Sequence, residues 1–172
     1  MPIRIGESCY IAESAVLIGD VTIGDEVCIM DGAVLRGDMN SIKIGSGSNI
    51  QDNVTLHTEK NHATLLGENV SVGHNAVVHG CTVESEVLIG MGAILMNGSY
   101  ISKGTIVAAG SVVRENFKCP EMSLLAGIPA SAKRTGDESL LSYAIANASS
   151  YSILREDYLH KKYQKVYGKD IL

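Results

Sequence analysis

Three histidines that lie near one another in the sequence have the residue type and number of a transition-metal site: His57, His74 and His79. Imidazole nitrogen is a common ligand of zinc, and iron and cobalt accept the same ligands. Three such ligands leave one tetrahedral position of zinc open, whereas structural zinc usually takes four protein ligands. The set therefore predicts a catalytic centre, in which the metal ion lowers the pKa of its bound water to about 7.

The relative positions of these histidines follow from a repeat in the first two-thirds of the chain, where an apolar residue returns at every sixth position. A period of six fits neither an α-helix nor a simple alternating strand and is typical of a parallel β-helix. The repeat predicts about six three-sided coils with corners A, B and C. Corner A is Ile5, Ile23, Ile44, Leu66, Val83 and Ile101; corner B is Ile11, Ile29, Ile50, Val72, Ile89 and Val107; corner C is Leu17, Leu35, Leu56, Val78, Leu95 and Val113.

Two insertions interrupt the repeat after corner C. Three extra residues separate Leu35 from Ile44, and four separate Leu56 from Leu66. Extra residues in a solenoid form loops, often on the binding face. The edge of the prism at corner C is therefore the predicted functional edge.

The repeat places two of the histidines directly above one another. His57 and His79 each follow corner C by one residue, on successive coils, so their backbones are expected about 4.8 Å apart. His74 follows corner B by two residues and is too far along the coil to reach the same ion. We therefore predict a homotrimer in which His74 of one subunit completes the site of its neighbour, since closed cyclic assemblies are common.

A charged pair is expected one coil below the histidines. Arg36 lies beneath His57, and Asp52 lies beneath His74. If the two histidines meet across a subunit interface, this arginine and this carboxylate meet across the same interface. Arginine–carboxylate pairs are geometrically specific, so the pair is expected to fix the register of the two subunits.

The expected chemistry is attack by metal-bound hydroxide on a small electrophile such as carbon dioxide, giving bicarbonate. Gln51 is positioned to hydrogen-bond the hydroxide or the developing product, and Asp38 to orient the charged pair. Of the other histidines, His62 falls in the second insertion, and His160 is expected to be a solvated residue of the C-terminal helix.

The chain leaves the repeat near Val113. We predict an all-β fold over residues 1–116, and an irregular exit with a C-terminal helix packed along the prism over residues 117–172, in one structural domain. Asp137 is the expected N-cap of the helix, and Gly168 its expected stop. The apolar stripe of this helix is Leu140, Leu141, Ala144, Ile145, Ala148, Tyr151, Leu154, Tyr158 and Leu159.

Composition limits the partners and the compartment. The 172 residues carry a net charge of -5, which disfavours nucleic-acid binding, and no apolar run reaches the roughly 20 residues that span a bilayer. The N-terminus lacks a signal-peptide pattern. The four cysteines are scattered, as expected for buried free thiols in a reducing compartment. We expect a cytoplasmic or organelle-matrix protein.

Several motifs resemble the gamma-class carbonic anhydrases. They are RGD at 36–38, NIQDN at 49–53, VGHNAVVHGC at 72–81 and IGMGA at 89–93, together with His57. The resemblance implies a left-handed β-helix and a homotrimer with zinc or iron at the interfaces. The residues of this chain that match the family's site are His57, His74 and His79 as ligands, Arg36 with Asp52 as the interface pair, Gln51 near the hydroxide, and Asp38 as the aspartate of RGD.

This chain also departs from the active members of that family in the residues for proton transfer. Met39 stands where they carry a glutamate, and the loop Thr58–Thr64 is shorter than theirs, with Glu59 or His62 as the possible proton shuttle. Two alternatives therefore stay open: an acyl- or acetyltransferase of the hexapeptide-repeat class that uses acetyl-coenzyme A, and a catalytically weak, metal-binding trimeric scaffold.

Overall fold

In a computed structural model that describes residues 2–167, the chain forms a parallel-strand solenoid of about seven turns with a C-terminal helix. The architecture matches a left-handed β-helix. The six-residue repeat predicts the parallel β-helix, and the family resemblance implies its left hand. The strands are β1 (Arg4–Ile5), β2 (Tyr10–Ile11), β3 (Val16–Ile23), β4 (Cys28–Ile29), β5 (Val34–Ile44), β6 (Asn49–Ile50), β7 (Thr55–His57), β8 (Thr64–Leu66), β9 (Ser71–Val72), β10 (Val77–His79), β11 (Thr82–Val83), β12 (Leu88–Ile89), β13 (Ile94–Leu95), β14 (Tyr100–Ile101), β15 (Ile106–Val107), β16 (Val112–Val113), β17 (Leu124–Gly127) and β18 (Ala130–Arg134).

The strands form two sheets. Strands of corners A and C join in a 10-stranded sheet, in which β14, β11, β8, β5, β7, β10, β13 and β16 are successive neighbours and β3 pairs with β1 and β5. The corner-B strands form an 8-stranded sheet in the order β18, β17, β15, β12, β9, β6, β4 and β2. Corner residues pair with corner residues, as in Leu35 with Leu56 and Leu56 with Val78. The predicted stacking of coils is therefore confirmed.

The core is the column of aliphatic side chains inside the coils. Leu35, Ile50 and Leu56 are completely buried, and every corner residue from the second coil to Val113 is at least 95% buried. The first coil has no coil beneath it, and Ile5 is accordingly 50% exposed. Burial of these side chains is the main favourable contribution to folding, because apolar surface is removed from water at every turn.

The solenoid extends further than Val113. Cys119 and Leu125 continue the six-residue spacing, and Leu125 of β17 pairs in parallel with Val107 of β15. Strand β18 then turns back antiparallel along β17. The segment that we expected to be an irregular exit thus contains two strands, and the expected boundary at residue 116 falls inside the seventh turn.

The helix α1 (Glu138–Leu159) begins at the predicted N-cap, where the Asp137 carboxylate accepts a hydrogen bond of 3.0 Å from the Ser139 amide. It lies along the 8-stranded sheet, with contacts to β2, β4, β6, β9 and β15. Its end at Leu159 comes before the expected stop, Gly168, which lies outside the described residues. Over residues 2–167, no helix has both the length and the apolar character of a membrane span.

The buried face of α1 differs in part from the predicted stripe. Leu140, Ala144 and Ala148 are buried as expected, but Ile145 is 40% exposed. Arg155 is buried instead, and its guanidinium donates 2.8 Å and 3.1 Å hydrogen bonds to the Glu26 carbonyl and carboxylate. These bonds pair a buried charge that would otherwise be costly, so they secure the end of α1 on the second coil.

We predict that Ile50→Ala lowers the free energy of unfolding by about 2 to 5 kcal/mol, because it leaves a cavity in the aliphatic column. Ile153→Ala is the matched control on the exposed face of α1, where the side chain is 68% exposed, and it is expected to change stability by less than about 0.5 kcal/mol. Guanidinium denaturation followed by circular dichroism measures both. Equal losses in the two variants would contradict the assigned core.

Candidate metal centre

Strand register brings three functional side chains into one column at corner C. Arg36 pairs with His57 across β5 and β7, and His57 pairs with His79 across β7 and β10. The two imidazole centroids are 4.8 Å apart, with the ring planes inclined at 67°. His57 Nδ1 lies 2.9 Å from His79 Nε2. Two ring nitrogens thus face each other on this edge of the prism, which we call the His57–His79 edge.

The outward nitrogen of each ring already has a partner. Asn97 Oδ1 lies 2.6 Å from His79 Nδ1, and Asp38 Oδ1 lies 3.1 Å from His57 Nε2. Both oxygens act as acceptors, so both outward nitrogens are expected to carry the proton. The lone pairs of His57 Nδ1 and His79 Nε2 then point at each other, an arrangement that favours a cation between them. Partners of this kind orient histidines around bound metals.

Asp38 connects the histidine to the arginine below it. Its second carboxylate oxygen accepts a 2.6 Å hydrogen bond from Arg36 Nη1. This bond lowers the pKa of Asp38, and the contact with His57 acts in the same direction. The carboxylate is therefore ionised at neutral pH. Within one chain the ion-pair partner of Arg36 is Asp38, and the expected pairing of Arg36 with Asp52 across an interface stays a prediction.

The inserted loop after His57 is tied to the same edge. Thr64 is fully buried, and its hydroxyl donates 2.5 Å to the His57 carbonyl while accepting 2.9 Å from the Gly80 amide. Glu59 and His62 pair through their backbones at 3.0 and 2.9 Å, which closes the loop as a tight hairpin. The loop is therefore a fixed structure beside His79.

The two possible proton shuttles, His62 and Glu59, have different surroundings in this hairpin. A side chain placed on Gly80, next to His79, would meet the Cβ of His62 at 2.9 Å, so His62 packs against the strand end that carries the histidine. Its Nδ1 is buried and has no hydrogen-bond partner within residues 2–167. Glu59 instead accepts a 2.9 Å bond from the amide of Lys60 in its own loop. Met39, 50% exposed, offers no titratable group.

His74 lies at a different corner, in the turn between β9 and β10, which we call the His74 corner. Its Nδ1 is 2.9 Å from Asp52 Oδ2, and its amide donates 3.2 Å to Gln51 Oε1. Gln51 is buried and donates 3.1 Å to Asn49 Oδ1. The carboxylate leaves the proton on Nδ1, so the lone pair of His74 is on Nε2.

Helix α1 adds a residue to the His74 corner. The Tyr151 hydroxyl lies 3.5 Å from His74 Nε2. Burial raises the pKa of Tyr151, and the negative charge of Asp52 raises it further. Tyr151 therefore keeps its proton at neutral pH and can act as a hydrogen-bond donor.

Sequence reasoning missed Asn97 and Tyr151. Asn97 follows corner C by two residues on the coil above His79, whereas the strand register places Met96 over His79, so the register alone does not locate Asn97. The sequence pattern predicts that Tyr151 belongs to the apolar stripe of the helix. Its approach to His74 depends on how α1 is rotated on the sheet, which the repeat does not specify.

The structure brings His57 and His79 together but does not bring His74 to them. Among the described residues of one chain, no group of three or more His, Cys, Asp or Glu side chains forms a metal-holding cluster. The donor set nevertheless fits a metal ion. Each of the three rings has one nitrogen held by an oxygen acceptor and one nitrogen left as a potential ligand.

Comparison with known proteins first defines the class of fold. The profile of the family described as "Bacterial transferase hexapeptide (six repeats)" matches residues 2–37. A solved structure of a hexapeptide transferase family protein from Anaplasma phagocytophilum is 33% identical, with a TM-score of 0.78, and the match covers 91% of this chain and 98% of that one. AntD, an N-acyltransferase from Bacillus cereus, has a TM-score of 0.70 at 18% identity and shows the fold alone. The chain is a hexapeptide-repeat protein.

Curated relatives define the family. The chain is 42% identical over 158 residues to "Gamma carbonic anhydrase 1, mitochondrial" of Arabidopsis thaliana, which covers 88% of this chain and 58% of the relative, little more than half its length. It is 41% identical over 152 residues to "Probable carbonic anhydrase" of Methanocaldococcus jannaschii, with 88% and 96% covered. The chain belongs to the gamma-class carbonic anhydrase-like family of hexapeptide-repeat proteins.

We predict that Asn97→Leu changes the tautomer of His79 in the metal-free protein. The wild-type ring is expected to hold its proton on Nδ1, donated to Asn97, whereas the variant loses this acceptor and shifts toward protonation at Nε2. Long-range proton–nitrogen correlation NMR distinguishes the two tautomers. His160, whose Nδ1 lies 2.8 Å from the Glu156 carbonyl, is the internal control. An unchanged His79 spectrum would show that Asn97 does not set the tautomer.

Proposed function

We propose that this protein is a metal-dependent hydratase that converts carbon dioxide to bicarbonate. The observation that carries the proposal is the 2.9 Å approach of His57 Nδ1 to His79 Nε2, with the outward nitrogens held by Asp38 and Asn97. Zinc is the proposed metal, and iron or cobalt fits the same ligands. When bound, such an ion supplies a nucleophile at neutral pH by lowering the pKa of a coordinated water to about 7.

The third ligand in this proposal is His74 of a neighbouring subunit in a homotrimer. The His57–His79 edge carries two histidines and the His74 corner carries one, so the two surfaces together supply three ligands. Apolar side chains surround the edge: Ile94 and Met96 are exposed beside His79 and line a cleft with Val77. A neighbouring subunit that covers this surface removes apolar area from water while it delivers His74.

The remaining site residues have supporting roles. Asp38 and Asp52 hold His57 and His74 through charged hydrogen bonds, and Arg36 keeps Asp38 ionised. We assign Gln51 to substrate orientation: its Oε1 is occupied by the His74 amide, and its Nε2 retains a hydrogen beyond the one given to Asn49. A small substrate held beside the His74 corner would be met by that amide.

Proton transfer to solvent is assigned to the hairpin of Glu59 and His62. His62 packs against Gly80, next to His79, and Glu59 lies directly across the hairpin from His62. Without a glutamate at Met39, proton transfer depends on this loop, so we expect a lower rate than in relatives that carry the glutamate.

Family membership supports the hydratase over the acyltransferase alternative. The relatives named as carbonic anhydrases are 41% and 42% identical to this chain, whereas the hexapeptide transferase family protein is 33% identical and the acyltransferase AntD 18%.

The four cysteines are free thiols, and burial raises the pKa of Cys81 and of Cys28 to about 12. Unreactive free thiols suit a reducing compartment, so we propose the cytoplasm or an organelle matrix.

We predict that protein purified without chelator holds about one metal ion per chain and that His57→Ala loses both this ion and carbon dioxide hydration, the latter by at least about 100-fold. His160→Ala, on the solvated end of α1, is the control and is expected to change neither. Elemental analysis and stopped-flow hydration assays measure the two properties. Metal-free wild-type protein with undiminished hydration would contradict the proposal, and bound metal without hydration would favour the scaffold.

We predict that Asp52→Arg weakens the trimer more than Asp52→Ala does, because both variants lose the contact of Asp52 with His74 but only the arginine also repels Arg36 across the interface. Light scattering after size exclusion, over a range of protein concentrations, measures the dissociation. A monomeric wild-type protein would refute the shared site. A trimer that Asp52→Arg leaves intact would instead refute only the role of this ion pair.

A further inference from the structure

The two coils that carry His57 and His79 follow different paths at corner C. After His57 the chain leaves the prism as the hairpin and re-enters it at Thr64, where β8 begins. On the next coil the path is short, since β10 ends at His79 and β11 begins at Thr82. Strand pairing between the coils therefore stops at His57 with His79 and resumes only at Leu65 with Thr82. The ends of both histidine-bearing strands lie at this interruption.

The Thr64 side chain bridges the interruption. Its hydroxyl donates a 2.5 Å hydrogen bond to the His57 carbonyl and accepts a 2.9 Å bond from the amide of Gly80, the residue after His79. The same amide lies 3.1 Å from the His57 carbonyl. The three groups form a closed triangle that joins the end of β7, the end of β10 and the start of β8.

Burial makes this triangle specific to a hydroxyl group. Thr64 is completely buried, so water does not compete for its bonds, and a hydrogen bond away from water is electrostatically stronger than one in water. If the hydroxyl is removed, the Gly80 amide still has the His57 carbonyl at 3.1 Å. We therefore expect a variant without the hydroxyl to fold but to hold the two strand ends less firmly.

A second threonine of the hairpin provides a natural comparison. Thr58 is as completely buried as Thr64, but its hydroxyl accepts 3.0 Å from the Asn40 amide and donates 3.4 Å to the Asn40 carbonyl. Asn40 belongs to the first insertion, so Thr58 fixes one insertion on the other. Of these two threonines, Thr64 is the one whose hydroxyl contacts both strands that carry the paired histidines.

We propose that Thr64 is a positioning residue of the metal centre. Its hydroxyl holds the ends of β7 and β10 at the spacing that brings His57 Nδ1 to 2.9 Å from His79 Nε2. The two ligands then converge before a metal ion binds, so binding requires less ordering of the chain. The effect on metal affinity rests on the proposed function, whereas the effect on the distance between the two rings is a property of the metal-free chain.

Zinc affinity, measured on the full chain by competition with a chromogenic chelator, is the first test. Thr64→Val and Thr64→Ala both remove the hydroxyl, and each is expected to weaken zinc binding by about 10 to 100-fold. Thr64→Ser restores the hydroxyl, and Thr58→Val is the matched control in the same hairpin. Both are expected to remain within about threefold of the wild type. Circular dichroism of each variant shows whether it is folded.

Crystal structures of the metal-free wild type, Thr64→Val and Thr64→Ser are the second test. The separation of His57 Nδ1 and His79 Nε2 is expected to exceed hydrogen-bonding distance in Thr64→Val alone. Equal weakening of zinc binding by Thr58→Val and Thr64→Val, no recovery in Thr64→Ser, or an unchanged separation in Thr64→Val would each overturn the role of Thr64. A wild-type protein that binds no zinc would instead refute the proposed function, and the separation in the metal-free variants would then decide the positioning role by itself.

Discussion

The stacking of coils at a fixed register is the constraint on which the rest of the structure depends. One aliphatic side chain at each corner fills the interior, and each coil pairs with the next through parallel backbone hydrogen bonds. A slip of one residue would expose the aliphatic column, so the register is strongly specified. Outward residues are consequently arranged in columns as regular as the core, and His57 lies over Arg36 and under His79 for this reason.

The sequence pattern predicts the features that depend on coil register or on local hydrogen bonds. It does not predict those that depend on contacts between distant parts of the chain. The stacking of the two histidines and the cap at Asp137 depend on spacing and local hydrogen bonding, and both are observed. The sequence pattern does not predict the seventh turn, because Pro120 after Cys119 indicates the end of the repeat. The six-residue spacing nevertheless continues to Leu125. Tyr151 and His74 are 77 positions apart, and only the docking of α1 brings them together.

Division of the candidate site between two corners has an energetic consequence. On the His57–His79 edge, two ring nitrogens converge to 2.9 Å, and a bound metal ion or a shared proton between them stabilises this arrangement. If the third ligand comes from a neighbour, metal binding and assembly are thermodynamically linked, because each makes the other more favourable. Asp38, Asp52 and Asn97 then matter before assembly, since they orient each ring within its own chain and reduce the ordering that binding requires.

Helix α1 connects the stability of the solenoid to the candidate site. Arg155 anchors one part of the helix on Glu26, and Leu140 and Ala144 pack its first turns on the sheet. The segment between them carries Tyr151, whose hydroxyl lies 3.5 Å from His74 Nε2. The same helix that covers the sheet therefore forms a wall of the site.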